Sequence, residues 1–175
     1  MTSIIPSSLV AAALWLGFGG VPSRVPAPGP SRPTASVSPT SAEIDAKVWA
    51  VVSAAVAKDD IVALGRTYHP AAVLVSSTGT KPIAQALDEW GKGMAAAKKA
   101  GTRASVAFRF AKRQDDTETA FQSGIFRYAT TTRAGVETPG YIRFEALLVK
   151  SGGTWLMVME RQLDAVSEQE WAALK

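Results

Sequence analysis

Apolar residues recur at helical spacing in the first half of the domain. The first run predicts a helix over residues 41–57 that begins with a capping box of Thr40 and Glu43. A second, short helix begins at Asp60 and ends before residues 68–73. A short strand over residues 72–76 then leads to a third helix at 81–99, which Gly101 ends. The pattern thus predicts three helices near the start of the domain.

The apolar pattern then changes to strict alternation, which is typical of half-buried strands. Four long strands are predicted over residues 103–113, 118–131, 140–150 and 154–164. Short, turn-rich links join them, so they form an antiparallel meander. A capping box of Ser167 and Glu170 begins a last short helix. The sequence therefore predicts an α+β domain: a cone-shaped, curved antiparallel sheet packed against three N-terminal helices, with a short C-terminal helix.

The N-terminal residues differ from this domain in composition. Residues 9–21 form an uncharged apolar run, so residues 1–21 are interpreted as a secretory signal peptide or an apolar anchor. Residues 22–40 hold six of the ten prolines and read as a disordered, Pro/Ser-rich linker. The folded domain is then expected over residues 41–175, in a periplasmic or secreted protein, or in one that the N-terminus tethers to a membrane.

Composition and charge exclude several classes of function. The chain of 175 residues has no cysteine and one histidine, which leaves no disulfide, no thiolate site and too few ligands for a zinc centre. The net charge of +4 is divided evenly between residues 1–40 and the remainder. No basic cluster with interleaved aromatic residues is present, so we expect no nucleic-acid partner.

Three short segments carry a family resemblance. TYHPAAVL at 67–74, ETAFQSG at 118–124 and KSGGTW at 150–155 resemble the SnoaL-like and ketosteroid-isomerase-like branch of the nuclear-transport-factor-2-like superfamily. The resemblance covers residues 41–166. The resemblance implies the cone fold, a function that needs no cofactor, and dimers that pack sheet against sheet. Members of the superfamily include both enzymes and proteins without catalysis.

The resemblance also implies an orientation for the last hairpin, with Trp155 facing the helices and Lys150 facing away. Alternation then predicts that Glu160 and Gln162 point outward. The concave face is predicted to carry charges near the mouth of the cone, together with apolar and polar residues of the neighbouring strands: Gln122, Phe126, Tyr128, Arg143, Glu145, Leu147, Met157, Met159 and Arg161.

Two residues are candidates for a catalytic base. Relatives that resemble ketosteroid isomerase often have an acid at the position of Ala71, and its absence argues against proton abstraction there. Glu145, flanked by Arg143 and Arg161, and the single histidine His69 are the remaining candidates. The alternatives are a structural ion-pair network for Glu145 and a loop-ordering role for His69.

A larger set of residues is expected to line an apolar ligand pocket or, alternatively, to form an ordinary core. This set comprises Tyr68, Trp90, Met94, Gln122, Phe126, Tyr128, Arg143, Met157, Met159 and Arg161.

Three functions remain open at this point. The first is a small-molecule-binding cone domain for a modest apolar ligand, without metal, cofactor or evident catalysis. The second is a cofactor-independent isomerase, dehydratase or hydrolase with Glu145 or His69 as base. The third is a protein–protein interaction module that uses the outer sheet face. That face is assigned Ile142, Phe144, Ala146 and Leu148, an apolar strip that predicts a homodimer.

Overall fold

The computed structural model describes residues 38–174. The predicted signal or anchor segment, and nearly all of the predicted linker, lie outside this range and stay predictions. Within it, no helix is long and apolar enough to cross a membrane.

The first helix begins at Pro39, slightly earlier than predicted. Ser38 is its N-cap, because the Ser38 hydroxyl accepts a hydrogen bond from the Ser41 backbone and Pro39 fits the first turn. Glu43 is not part of a capping box, since its carboxylate bonds Lys150 and Trp155 instead. The helices are α1 (Pro39–Ile44), which continues through a π-helical stretch (Asp45–Trp49) into α2 (Ala50–Ala57), then α3 (Ile61–Gly65), α4 (Ile83–Ala100) and α5 (Glu168–Ala173).

The strands form one curved sheet that does not close into a barrel. They are β1 (Tyr68–Ser76), β2 (Gly79–Pro82), β3 (Arg103–Asp115), β4 (Thr119–Thr131), β5 (Glu137–Ser151) and β6 (Thr154–Ala165), in the order β2-β1-β6-β5-β4-β3. The α+β class is confirmed. The sheet is mixed rather than purely antiparallel, because β1 runs parallel to β6. The short strand β2 was not predicted.

The core lies between the concave face of the sheet and the N-terminal helices. Trp49, at the end of the π-helical stretch, lies at its centre, with ring centroids 4.7 Å from Phe108, 5.6 Å from Phe110 and 5.5 Å from Phe144. Tilted and edge-on aromatic pairs of this kind add about 0.5–1.5 kcal/mol each beyond the area that they bury. This cluster holds the first helix against β3 and β5.

In the β5–β6 hairpin, the β5 side chains that face the helices are the ones that were predicted to face away from them. Lys150 pairs directly with Trp155, and directly paired residues of antiparallel strands point to the same face. Both therefore face the helices, where the Lys150 ammonium lies 2.8 Å from Glu43 and the Trp155 indole N–H donates to the same carboxylate. The prediction that Lys150 points away is wrong.

This correction changes which side chains of β5 are buried in the core and which lie on the outer face. Phe144, Ala146 and Leu148 are buried in the core, whereas Arg143 and Leu147 are exposed on the outer face. The prediction that Arg143, Glu145 and Leu147 line the concave face is wrong, and so is the apolar outer strip assigned to Ile142, Phe144, Ala146 and Leu148.

A β-bulge in β6 changes the alternation a second time. Leu148 pairs with Met157 and Leu147 with Met159, so Val158 is an extra residue on β6. Met157 is fully buried in the core, but Met159 and Arg161 lie on the outer face, opposite Leu147 and Glu145. Glu160 and Gln162 consequently point inward, which corrects the prediction that they face outward.

The short helix α5 covers part of the outer face. The capping box of Ser167 and Glu170 is confirmed. The Arg109 guanidinium donates to the Trp171 and Leu174 carbonyls at 3.0 Å and lies 4.6 Å from the centre of the Trp171 ring. Glu170 pairs with Arg143 at 2.8 Å. These contacts hold α5 over Ile125, which is buried but lies outside the main core.

Candidate functional site

Three polar side chains form a hydrogen-bonded chain on the concave face. Tyr68 begins β1, next to β6, and its hydroxyl donates to Glu160 Oε2. The other oxygen of Glu160, Oε1, accepts from the Gln162 amide at 2.8 Å. The bulge at Val158 turns Glu160 and Gln162 to this side of the sheet. Each carboxyl oxygen of Glu160 therefore has one donor.

Burial dominates the electrostatics of this chain. Burial raises the pKa of the Glu160 carboxyl, and the hydrogen bonds from Gln162 and Tyr68 oppose the shift without cancelling it. The pKa of the Tyr68 hydroxyl is raised well above its ordinary value, first by burial and then by the neighbouring Glu160 charge. Both shifts oppose ionisation, and in its protonated form the Glu160 carboxyl can also act as a hydrogen-bond donor.

Apolar and aromatic side chains surround the chain of polar groups. The Trp90 ring of α4 lies 6.3 Å from the Tyr68 ring. Met94, Tyr128 and Ile142 are partly buried against the core. Burial raises the pKa of Tyr128, with a further contribution from the charge of Asp59. The setting is an apolar interior with a few polar groups, which is the usual composition of a small-molecule site.

Gln122 is a second polar residue on the concave face, and it is fully buried. Its Oε1 atom accepts from the Trp49 indole N–H at 2.7 Å. Gln122 pairs with Ala146 on β5, and Ala146 pairs with Glu160 on β6. Gln122, Ala146 and Glu160 thus form one row across the sheet.

The predicted pocket residues divide between the two faces of the sheet. The structure brings most of them together on the concave side, either in the core or packed against it: Tyr68, Trp90, Met94, Gln122, Phe126, Tyr128 and Met157. It places Arg143, Met159 and Arg161 on the outer face. Those three do not share a surface with the rest.

The two candidate bases have local partners. Glu145 lies on the outer face, where it pairs with Arg161 at 3.1 Å. His69 Nδ1 accepts a hydrogen bond from the Ala71 backbone N–H at 3.1 Å, within the irregular start of β1. Ala71 itself is exposed. Glu160, which the sequence reasoning did not propose as a base, has its carboxyl group on the concave face.

The outer face carries two hollows. One, of about 270 Å³, lies under α5 between Arg143, Glu145, Leu163 and Glu170. The other, of about 500 Å³, is open and is lined by Phe121, Leu147, Val149 and Val158, among others. Among residues 38–174, no group of three or more histidine, aspartate or glutamate side chains could hold a metal ion.

Sequence reasoning missed Glu160 and Gln162 as inward-facing residues, and it also assigned the residues of β5 to the wrong faces. For β5 the sequence held a usable signal in the Gly152–Gly153 pair, because two glycines between alternating strands predict a two-residue turn. Such a turn forces Ser151 opposite Thr154 and Lys150 opposite Trp155, and so fixes the face of β5. Nothing in the sequence pattern marks the bulge at Val158.

The sheet order, the curvature and the N-terminal helices form a cone fold that is similar to solved structures of nuclear-transport-factor-2-like proteins, as the resemblance predicted. The structure is similar to Aln2 from a Streptomyces species, with a TM-score of 0.58 and 16% identity over 71% of this chain and 90% of that chain. A nuclear transport factor 2-like superfamily protein from Salmonella enterica serovar Typhimurium gives 0.57 and 13% over 73% and 92%.

A ketosteroid isomerase-like protein from Erwinia carotovora gives a TM-score of 0.50 and 23% identity over 71% of this chain and 98% of that chain. No protein-family model and no curated protein sequence matches the chain. At these identities the likeness establishes the fold.

Proposed function

We propose that the cone binds a modest, mostly apolar small molecule on its concave face, and that Tyr68 and Glu160 hold the polar end of this molecule. The observation that carries the proposal is the hydrogen-bonded Tyr68–Glu160–Gln162 chain, set among aromatic and aliphatic side chains. Buried polar groups are costly unless they are hydrogen-bonded; this chain satisfies that requirement internally, and the Tyr68 oxygen keeps lone pairs that can accept from a ligand. The fold supports the same proposal, because the curved sheet and the N-terminal helices enclose the concave face.

The polar end of the ligand is expected to be uncharged. A second negative charge beside Glu160 would have to lose its hydration in the same apolar interior. The Tyr68 O–H is donated to Glu160, so its oxygen keeps lone pairs that can accept from a ligand hydroxyl, and Glu160 in its protonated form offers one O–H donor to an alcohol or carbonyl oxygen.

The proposal is tested by native mass spectrometry of the purified full-length protein, with extraction of whatever it retains. The expected result is an apolar, uncharged molecule that Glu160→Gln and Tyr68→Phe release. Glu145→Gln is the matched control, since it makes the same change on the outer face and should retain the molecule. Retention by all variants contradicts a site on the concave face.

Proton-transfer catalysis is a second candidate, favoured by the raised pKa of Glu160. A carboxylic acid in its protonated form can donate to a ligand oxygen, and a raised pKa extends the pH range in which that form is present. In this role Glu160 is a general acid that polarises a ligand carbonyl while a water molecule accepts the α-proton, so it differs from the base that the sequence offered in Glu145 or His69. Exchange of the methyl hydrogens of 2-acetylnaphthalene with D2O, catalysed by the wild type and lost in Glu160→Gln, would support this function. No catalysed exchange by the wild type would count against it.

We also propose that the outer face forms a homodimer, through residues other than those first assigned. Leu147 is 42% exposed. It lines the open hollow with Phe121, Val149 and Val158, and α5 leaves this region uncovered. An exposed apolar area on a sheet is typical of an interface.

A further inference from the structure

The hollow of about 270 Å³ beneath α5 is separate from the concave face, and the proposed function does not use it. Its apolar walls are Ile125 on β4, Leu163 on β6, and Ala173 and Leu174 at the C-terminal end of α5. A closed apolar cavity of about 150 Å³ holds benzene. The hollow therefore has room for an apolar group of the size of a benzene ring with a short chain.

The helix α5 lies over the hollow, and polar contacts at both of its ends fix its position. At the C-terminal end, Arg109 donates to the carbonyls of Trp171 and Leu174 at 3.0 Å. In the first turn, Glu170 pairs with Arg143 at 2.8 Å. No residue of α5 is buried. The helix thus covers the hollow without filling it.

Arg143 lines the hollow, and only part of its guanidinium is used. Its Nη2 atom donates to Glu170, whereas its Nη1 and Nε groups have no acceptor among residues 38–174. Ser123 also lines the hollow, and its hydroxyl makes no hydrogen bond with any residue in that range. Ser123 and Arg143 are diagonal neighbours on β4 and β5, about 7–8 Å apart. A single ligand group can therefore accept hydrogen bonds from both.

Lys112 adds a second positive charge beside the hollow. It pairs directly with Ser123, and Ser123 pairs with Glu145, so all three side chains lie on the outer face. Lys112 is exposed and has no ion-pair partner in the part of the chain that the structure describes. The two carboxylates that line the hollow, Glu145 and Glu170, are each paired with an arginine. The charge left over among these groups is positive, which favours an anionic ligand.

We propose that the hollow beneath α5 binds a small apolar carboxylic acid in its ionised form. The carboxylate accepts hydrogen bonds from Arg143 and Ser123, with Lys112 beside it, and the apolar part of the molecule lies beneath α5. A planar carboxylate matches the fork of N–H groups that a guanidinium presents. The concave face is expected to hold an uncharged polar end instead, so the two sites select different ligands.

The test compares 3-phenylpropanoate with 3-phenylpropanamide, which are similar in shape but differ in charge, in titrations of the ¹⁵N-labelled full-length protein. The backbone amide signal of Ala173 reports binding beneath α5. The wild type is expected to bind the acid about tenfold more tightly than the amide at this site, as a hydrogen bond to a charged group allows. Equal affinity for the two probes, or no response of Ala173 to the acid, overturns the proposal.

Two variants break the Arg143–Glu170 ion pair from opposite sides. Arg143→Gln should bind the acid about tenfold more weakly, because the guanidinium is lost. Glu170→Gln should bind it roughly two- to fivefold more tightly, because a competing carboxylate is removed, and glutamine still suits this position of a capping box. If Arg143 only holds α5 in place, both variants weaken binding alike, and that result overturns its role as a ligand-binding residue.

Arg127→Gln is the matched control for the loss of an arginine. Arg127 forms an ion pair with Glu137 at 2.6 Å, also on the outer face, but it does not line the hollow. This variant should bind the acid like the wild type. Equal weakening in Arg127→Gln and Arg143→Gln would show attraction by the overall positive charge and would overturn the site beneath α5.

Discussion

Glu160 is a carboxyl group inside an apolar interior, and its protonation decides which ligand groups the concave face can accept. Its two oxygens are held by Tyr68 and Gln162, which fix the carboxyl plane. Burial raises its pKa above the usual 4.5. In its protonated form the group is a donor, and in its ionised form it is an acceptor only.

The raised pKa makes stability depend on pH in a defined direction. As the pH rises above 4.5, the unfolded chain releases the Glu160 proton while the folded protein still holds it. The contribution of this group to the free energy of unfolding therefore falls until the pH passes the folded-state pKa, and is constant beyond that point. Relative to Glu160→Gln, the wild type should lose stability across this window.

Urea unfolding of both proteins over the acidic to neutral range measures the difference. Glu145→Gln, measured alongside, makes the same chemical change at an ion pair on the outer face and controls for the substitution itself. A difference between the wild type and Glu160→Gln that does not vary with pH would contradict the raised pKa.

At the scale of elements, the β5–β6 hairpin sets which residues face the ligand. Its turn places Gly152 at φ 57° and Gly153 at φ 79°, in the left-handed region that favours glycine. The two-residue turn fixes the register in which Lys150 and Trp155 both reach Glu43. The chain cannot slip by one residue without moving Trp155 out of the core.

Substitutions in this turn should differ by residue type. Gly153→Ala should destabilise the protein by about 1 kcal/mol, because a Cβ disfavours the left-handed conformation. Gly152→Asn should be nearly neutral, since Asn-Gly is the preferred sequence for such a turn. Thermal or urea unfolding compares the two, and equal losses would argue against the turn geometry.

Local pattern sufficed for the order and type of the elements other than β2, because helical periodicity and alternation are both properties of neighbouring residues. It also identified Tyr68, Trp90 and Gln122 as residues of the interior. It did not yield the face of β5, since Lys150 was oriented from the family resemblance rather than from the turn. The inward turn of Glu160 depends on the bulge at Val158, which arises from pairing with β5 and is not visible in β6 alone.

At the scale of the whole molecule, the two faces of the sheet carry separate tasks. The concave face holds the polar chain and the core, whereas the outer face holds α5 and the ion pairs Arg143–Glu170 and Arg161–Glu145. Sequence reasoning combined charges from the outer face with aromatic residues from the inner one. Separating them removes Arg143 and Arg161 from the ligand site proposed on the concave face.

The proposed dimer makes a prediction about the outer face. Leu147→Glu should convert the dimer to a monomer, because it introduces a charge into the apolar contact area. Val62→Glu is the matched control: Val62 is 62% exposed, but it lies on α3, away from the outer sheet face. Sedimentation velocity at micromolar concentration measures both, and a monomeric wild type would contradict the interface.

The central claim is that the functional interior is built around Glu160, and the most direct test is a titration of wild type, Glu160→Gln and Glu145→Gln with 2-naphthol, an apolar ring with one hydroxyl group. We predict that Glu160→Gln weakens binding about tenfold, as loss of a hydrogen bond to a buried group allows, and that Glu145→Gln binds like the wild type. Weakened binding in Glu145→Gln with unchanged binding in Glu160→Gln would move the site to the outer face and contradict this claim.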